Sequence, residues 1–200
     1  MIAKKSGIGT LVAVILTALI TLLPPAAQGQ SANSCKTFVQ SFYTWYIPQL
    51  TKNVPIPSNE RILKERAFLF SPTLLAMLKE DLVESAKVPD EIVGLDFDPY
   101  INGQETPKRY LADKVTAKGK NYLVEVFDIS EGKRSKAPAV TPELAFSNGK
   151  WIFTNFHYGK SNIPGNENLI SILKIQKAER LKFAKEKKNN KNQASESSIK

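Results

Sequence analysis

Residues 139–158 read AVTPELAFSNGKWIFTNFHY, and this stretch decides the fold. Two runs rich in aliphatic and aromatic residues, 139–147 and 151–158, flank the dipeptide Asn148-Gly149. Asn-Gly accepts left-handed backbone at both central positions of a type I′ turn, whose twist matches that of paired strands. The stretch is therefore predicted to be a β-hairpin. Pro142 lacks the N–H that a ladder needs, so its strand should sit on an edge or carry a bulge. Upstream, Asn121–Asp128 sets Tyr122, Val124 and Val126 against Leu123, Glu125 and Phe127, the period of two expected of a strand. Tyr110–Ala117 is a fainter strand candidate. Residues 130–136 combine turn chemistry with too much charge for burial.

Before residue 90 the period changes. Phe38, Phe42, Trp45 and Tyr46 recur at helical spacing, predicting a helix from about Cys35 to Leu50 with Asn33 or Ser34 as its cap. Pro48 should kink or end it. Residues 51–59, with Pro55 and Pro57, should be extended, and 61–69 form a short helical segment. Ser71-Pro72 opens the clearest helix, with Leu74, Leu75, Leu78 and Leu82 as its stripe and Pro89 past its end. Residues 90–106 read as irregular. A last helix should start near Glu167 and fade after Leu181 and Phe183. From Lys187 onward the chain lacks apolar partners, so a disordered tail is expected. Helices before and after a run of strands indicate α+β, with the N-terminal helices packed on a curved antiparallel sheet of about four strands.

The amino terminus carries an address. Lys4 and Lys5 precede a 16-residue uncharged run from Ile8 to Leu23, then Pro24-Pro25 and the small-x-small pattern Ala27-Gln28-Gly29. These are the parts of a secretory signal peptide over residues 1–29, cleaved near Gly29, which predicts a secreted or periplasmic protein. The alternative is an N-terminal membrane anchor, although a span takes about 20 predominantly apolar residues. Residues 30–173 then make a single domain, and 174–200 a basic helical extension.

The formal charge of +9 is uneven. Residues 174–200 hold nine basic and three acidic side chains, whereas 30–173 hold 17 and 16. The basicity belongs to an appendage, and a near-neutral exported globule is not expected to bind nucleic acid. The tail could contact an anionic membrane or cell-wall polymer weakly, but it lacks an apolar face. A lone Cys35 forms no internal disulfide and is expected to pack on its helix.

Several motifs together resemble the bacterial exported family called domain of unknown function 3828. They are Phe42-Tyr43-x-Trp45-Tyr46-x-Pro48, Leu69-Phe70-Ser71-Pro72-x-Leu74-Leu75, Asp96-Phe97-Asp98-Pro99-Tyr100, and Trp151 through Phe156-His157-Tyr158 with Asn168-Leu169. That family is similar to the nuclear-transport-factor-2-like group, whose helices close one mouth of a strongly bent sheet. The resemblance implies a cone-like fold with a pocket between helices and sheet, and no assigned activity.

Candidate site chemistry is sparse. His157 is the only histidine, suited to proton transfer by its unperturbed pKa near 6.5. No Ser or Cys nucleophile with a recognisable motif accompanies it. Asp96, Asp98, Asn102 and Glu105 are oxygen ligands in a turn-rich loop, but an EF-hand would need glycine where Ile101 stands. Tyr43 and Tyr46 carry polar tips that want partners when buried. The candidate ligand-binding set is Tyr43, Tyr46, Asp96, Asp98, Tyr100 and His157, with no catalytic residue, metal or cofactor. The function expected is a non-enzymatic module binding a small molecule or an envelope protein. The alternative is a cofactor-free enzyme using His157 as general acid/base with Asp96 or Asp98.

Overall fold

In a computed structural model that describes residues 25–51, 58–87, 94–103, 108–159, 165 and 167–197, the period-two segments pair into one antiparallel sheet. Its strands are β1 Arg109–Lys118, β2 Asn121–Ser130, β3 Lys133–Arg134, β4 Thr141–Ser147 and β5 Lys150–His157. They run in the order β1-β2-β4-β5, with the two-residue β3 paired to the end of β2. Asn148 and Gly149 take φ of 50° and 75°, so the predicted type I′ hairpin turn forms between β4 and β5. Glu131 and Gly132, at 52° and 77°, make the same kind of turn before β3.

The register follows burial. Val124, Val126, Leu144 and Phe153 share the covered face and pair through Val126↔Ala112, Val124↔Val115 and Leu144↔Phe153. A slip of one residue would turn every one of them to solvent. Two irregularities interrupt the ladders, between Ala112 and Val115 and between Glu143 and Leu144. Pro142 sits beside the second. Its strand is not an edge but lies between β2 and β5. The β2–β4 ladder spans only Asn121–Leu123 against Glu143–Ala145, so Pro142 is beyond it and its missing N–H breaks no bond there.

Four helices complete the α+β architecture: α1 Pro25–Leu50, α2 Ser58–Glu65, α3 Pro72–Ser85 and α4 Leu169–Ser197. A single 3-10 turn, Ala67–Leu69, precedes α3. Among the described residues no helix is long and apolar enough to cross a membrane. The stretch from Met1 to Pro24, together with Pro55, Pro57, Pro89 and Glu105, lies outside the described residues.

α1 starts earlier than its expected cap. Alanine-rich sequence favours helix, and the backbone is already helical at Pro25, leaving Asn33 and Ser34 inside it. Ser34 Oγ instead accepts a hydrogen bond from Trp151 Nε1 at 3.1 Å. The buried stripe of α1 is Cys35, Val39, Phe42, Tyr43, Tyr46 and Ile47, while Phe38 and Trp45 sit at its margins. Cys35 is fully buried and packs in the core, and that burial pushes its thiol up to about 12, away from the reactive thiolate. α2 begins at Ser58, so Asn59, expected in extended chain, is helical.

Ser71 caps α3 as predicted, with Oγ accepting from Leu74 N at 3.3 Å and Pro72 in the first turn. Ser71 N also donates to Phe153 O at 2.8 Å, which fastens the start of α3 to β5. α4 is capped from two sides. Asn168 Oδ1 accepts from Ser171 N, and Asn155 Oδ1 on β5 accepts from Ile170 N, each at 3.1 Å.

The helix then runs past both the expected domain edge at Leu173 and the expected disorder from Lys187, reaching Ser197. Lys, Gln, Glu and Ala are all good helix formers, and they favour its continuation. Three contacts hold its base. Gln176 Nε2 donates to Gly94 O at 3.1 Å, Lys177 meets Glu80 at 2.7 Å, and Arg180 Nη1 meets Asp81 Oδ1 at 2.7 Å. The last pair is nearly shut off from water, with Asp81 5% and Arg180 15% exposed at the side chain.

Removing one partner of a buried pair strands the other charge. Arg180→Ala should therefore cost about 3 kcal/mol in urea unfolding. Lys177→Ala, which breaks an exposed pair, should cost less than about 1 kcal/mol.

Candidate functional site

The loop between α3 and β1 enters the core, and a buried loop has backbone groups that water cannot reach. Tyrosine hydroxyls satisfy them in sequence. Tyr158 Oη donates to Pro99 O at 3.0 Å, Tyr43 Oη to Tyr100 O at 2.8 Å, and Tyr110 Oη to Ile101 O at 3.0 Å. Tyr46 Oη donates to Asp98 Oδ2 at 2.5 Å, and Asp98 Oδ1 accepts from Tyr100 N at 2.9 Å. Their rings pack with Phe42: Tyr43 stacks on Tyr110 at 5.0 Å, and Tyr46 meets Tyr100 edge-on at 5.3 Å.

Burial pushes the phenols of Tyr43, Tyr46, Tyr100, Tyr110 and Tyr158 above their ordinary value, and the nearby Asp98 carboxyl adds to it. They stay protonated, and Tyr43, Tyr46, Tyr110 and Tyr158 serve as donors. Burial also raises Asp98 itself, more than the bonds from Tyr46 and Tyr100 lower it.

Four of the predicted residues, Tyr43, Tyr46, Asp98 and Tyr100, thus come together. The hydroxyls of Tyr43 and Tyr46 and the Asp98 carboxyl are engaged with each other or with the loop, whereas Tyr100 Oη is buried without a hydrogen-bond partner, and Tyr43, Tyr46 and Tyr100 are among the most buried side chains. The space between helices and sheet that the resemblance would leave open is filled by their rings with Phe153 and Phe156. Asp96 lies on the surface, outside this cluster.

His157 belongs to another group. Its Nε2 lies 2.7 Å from Glu143 Oε2, so the acid beside it is Glu143 and not Asp96 or Asp98. Glu143 also accepts from Asn121 Nδ2 at 2.5 Å and Lys118 Nζ at 3.3 Å. Burial alone would raise the Glu143 carboxyl, but the bonds from Asn121, His157 and Lys118 prevail and hold it below its ordinary value. An ionised carboxylate only accepts, so the shared proton sits on His157 Nε2. The cluster ties β1, β2, β4 and β5 together.

The open site lies elsewhere. A groove of about 870 Å³ runs between α1 and the edge strand β1. Asn33, Lys36, Thr37, Gln40, Ser41 and Thr44 line one side at helical spacing, with Trp45 at the end, and Leu111–Asp113 line the other. Gln40 shapes its floor. Its amide donates to Tyr110 O at 3.1 Å and accepts from Ala112 N at 2.9 Å, standing in for a neighbouring strand. Asp113 is held between Lys36 at 3.6 Å and Arg134 at 2.7 Å, while the Arg66 guanidinium covers the Trp45 ring at 4.5 Å. The groove presents hydroxyls, amides, one cation and one carboxylate.

A smaller cavity of about 110 Å³ lies beside Leu78, Asp81, Leu95 and Tyr100. The described residues contain no cluster of three or more side chains able to hold a metal ion. The residues that sequence reasoning missed as site members are Lys36, Asp113 and Glu143. Gln40, Ser41 and Thr44 were recognisable only as the wetter side of α1. Searches against protein-family models, curated proteins and solved structures find no match to the chain.

Tyr46→Phe should cost about 2 kcal/mol in urea unfolding, since it takes a donor from a partly buried carboxyl. The pH dependence has two opposite signs. Asp98 keeps its proton to higher pH in the fold than its ordinary 3.8, so its contribution is full below that value and is lost as pH rises through the native pKa. Glu143, held below 4.5, contributes above that value and loses it as pH falls through its native pKa. Asp98→Asn should abolish the first loss and Glu143→Gln the second, read as urea midpoints across the carboxylate range.

Proposed function

We propose that this chain is an exported, non-enzymatic binding module that takes a small polar ligand in the groove between α1 and β1. One observation carries this reading. Among the described residues the groove brings hydroxyl, amide, ammonium and carboxylate groups onto open space beside Trp45 and Leu111, and a few placed polar groups are what orient a ligand in a site. Lys36 and Asp113 supply opposite charges near one end, and Gln40 is immobilised by its two backbone bonds, so part of the site is preorganised. Export rests on the leader-like residues 1–29, and membership in the domain of unknown function 3828 family on the four motifs quoted above. A cone-like bend of the sheet finds support in its two bulges, since a bulge bends its strand. Lys182, Lys185 and Lys187 of α4, which are exposed, suit contact with an anionic surface as a secondary attachment.

A second reading, a cofactor-free acid–base enzyme, draws on the 2.7 Å contact between Glu143 and His157. Neither the groove nor the small cavity includes His157, so the first reading stands ahead of it.

Dialysis of the purified protein against a metabolite pool, followed by native mass spectrometry, should show a retained small molecule. Thr37→Trp places an indole in the groove from an exposed position. It should weaken retention at least about tenfold, or 1.4 kcal/mol, with an unchanged circular dichroism spectrum. His157→Ala should leave retention intact. Equal retention by Thr37→Trp would remove the groove as the site.

A further inference from the structure

The small cavity of about 110 Å³ sits where α2, α3 and the loop after α3 meet, and it shares no residue with the groove. Leu63, Leu78, Leu82 and Leu95 form most of its wall with Pro99, and Asp81, Ser85 and Tyr100 complete it. We propose that this cavity is a second binding site, for a small neutral molecule with a branched apolar body and one hydroxyl or carbonyl oxygen, held by Tyr100 Oη.

The hydrogen bonds around the cavity point to that class of ligand. Asp81 Oδ1 accepts from Arg180 Nη1 at 2.7 Å, and its Oδ2 accepts from Leu95 N at 3.1 Å. Ser85 Oγ spends its proton on Asp81 O at 2.8 Å. Tyr43, Tyr46, Tyr110 and Tyr158 all donate to the buried loop, but Tyr100 does not. Its side chain is fully buried, yet its Oη meets no hydrogen-bond partner. Such a hydroxyl is costly to bury, and an acceptor brought to it recovers the cost. Among the described residues the other buried side-chain atom without a partner is Gln176 Oε1, whose amide holds Gly94, the neighbour of Leu95 in the wall.

Size and wall select the rest of the molecule. An apolar cavity of about 150 Å³ accommodates benzene, so one of about 110 Å³ suits roughly four or five heavy atoms. Water fits poorly, because a buried water takes about three polar partners and leucine offers none. The loop also closes tightly here. A Cβ on Gly94 would lie 1.9 Å from Ser85 Oγ and 2.9 Å from Asp81 Oδ2, so glycine is what lets the chain seat against α3.

The test ligand is isobutanol, titrated into the purified protein and followed by amide chemical shifts. Saturable shifts at Leu95 and Tyr100 are expected. Leu82→Trp places an indole in the cavity from a half-buried position and should abolish them, with an unchanged circular dichroism spectrum. Tyr100→Phe removes an oxygen that bonds to nothing in the fold, so it should raise the urea midpoint of the free protein and weaken isobutanol about tenfold, or 1.4 kcal/mol. Thr37→Trp, in the groove, should leave the titration unchanged. Saturable shifts that survive Leu82→Trp would put the alcohol elsewhere and overturn the site. Binding unaffected by Tyr100→Phe would overturn the part given to its hydroxyl. Absence of saturable shifts would overturn the proposal outright, and a lowered midpoint for Tyr100→Phe would then show that water meets the hydroxyl.

Discussion

Tyrosine hydroxyls from three different elements hold the loop at residues 98–101 inside the protein, and most of the architecture answers to that constraint. Tyr43 and Tyr46 come from α1, Tyr110 from β1, and Tyr158 from the chain just after β5. Each meets one acceptor in a stretch of four residues. The carbonyls of Pro99, Tyr100 and Ile101 could not enter an aromatic core without such donors, because an unmet buried carbonyl costs more than a hydrogen bond is worth on balance. Tyrosine suits the task because one side chain fills the core with its ring and ends in a donor. The loop in turn fixes the distance between α1 and the sheet, since its acceptors are reached from both.

The candidate groove is a by-product of the same packing. With the aromatic face of α1 drawn onto the sheet, its polar face is left along β1, the terminal strand in the sheet order. An open strand edge invites pairing with other chains. Gln40 closes part of it by offering one donor and one acceptor where a further strand would, and the bulge after Ala112 and the exposed Lys114 and Lys118 discourage the rest. The residues that protect the edge also furnish the groove with fixed polar groups. Structural necessity and the proposed binding chemistry therefore share the same positions.

Charge is organised by location. The Asp81–Arg180 pair is nearly dry and joins α4 to α3, whereas Lys182, Lys185 and Lys187 lie beyond it in water. The base of α4 accordingly belongs to the fold, and the remainder is rich in residues that favour helix on their own. On the sheet, Glu143 gathers Asn121, Lys118 and His157 across three strands, a cross-strand network that pins register more than any single pair would.

Local rules wrote much of this fold into the sequence. Asn148-Gly149 specified its turn because few other residue pairs tolerate two left-handed positions, and Ser71-Pro72 specified a helix start for equally local reasons. The alternation of 121–128 and the leucine spacing of 74–82 set the classes of their elements. Proximity across the chain was another matter. That Tyr158 would reach Pro99, that Gln40 would bridge β1, and that His157 would find Glu143 and not an aspartate depended on strand order and on bulges that shift which side chains face together. Even the seating of the base of α4 turned on Arg180 finding a buried carboxylate contributed by another helix. Periodicity and capping act over a few residues and are legible there. Contacts between residues far apart exist only once the sheet is assembled, and tertiary structure alone decided them.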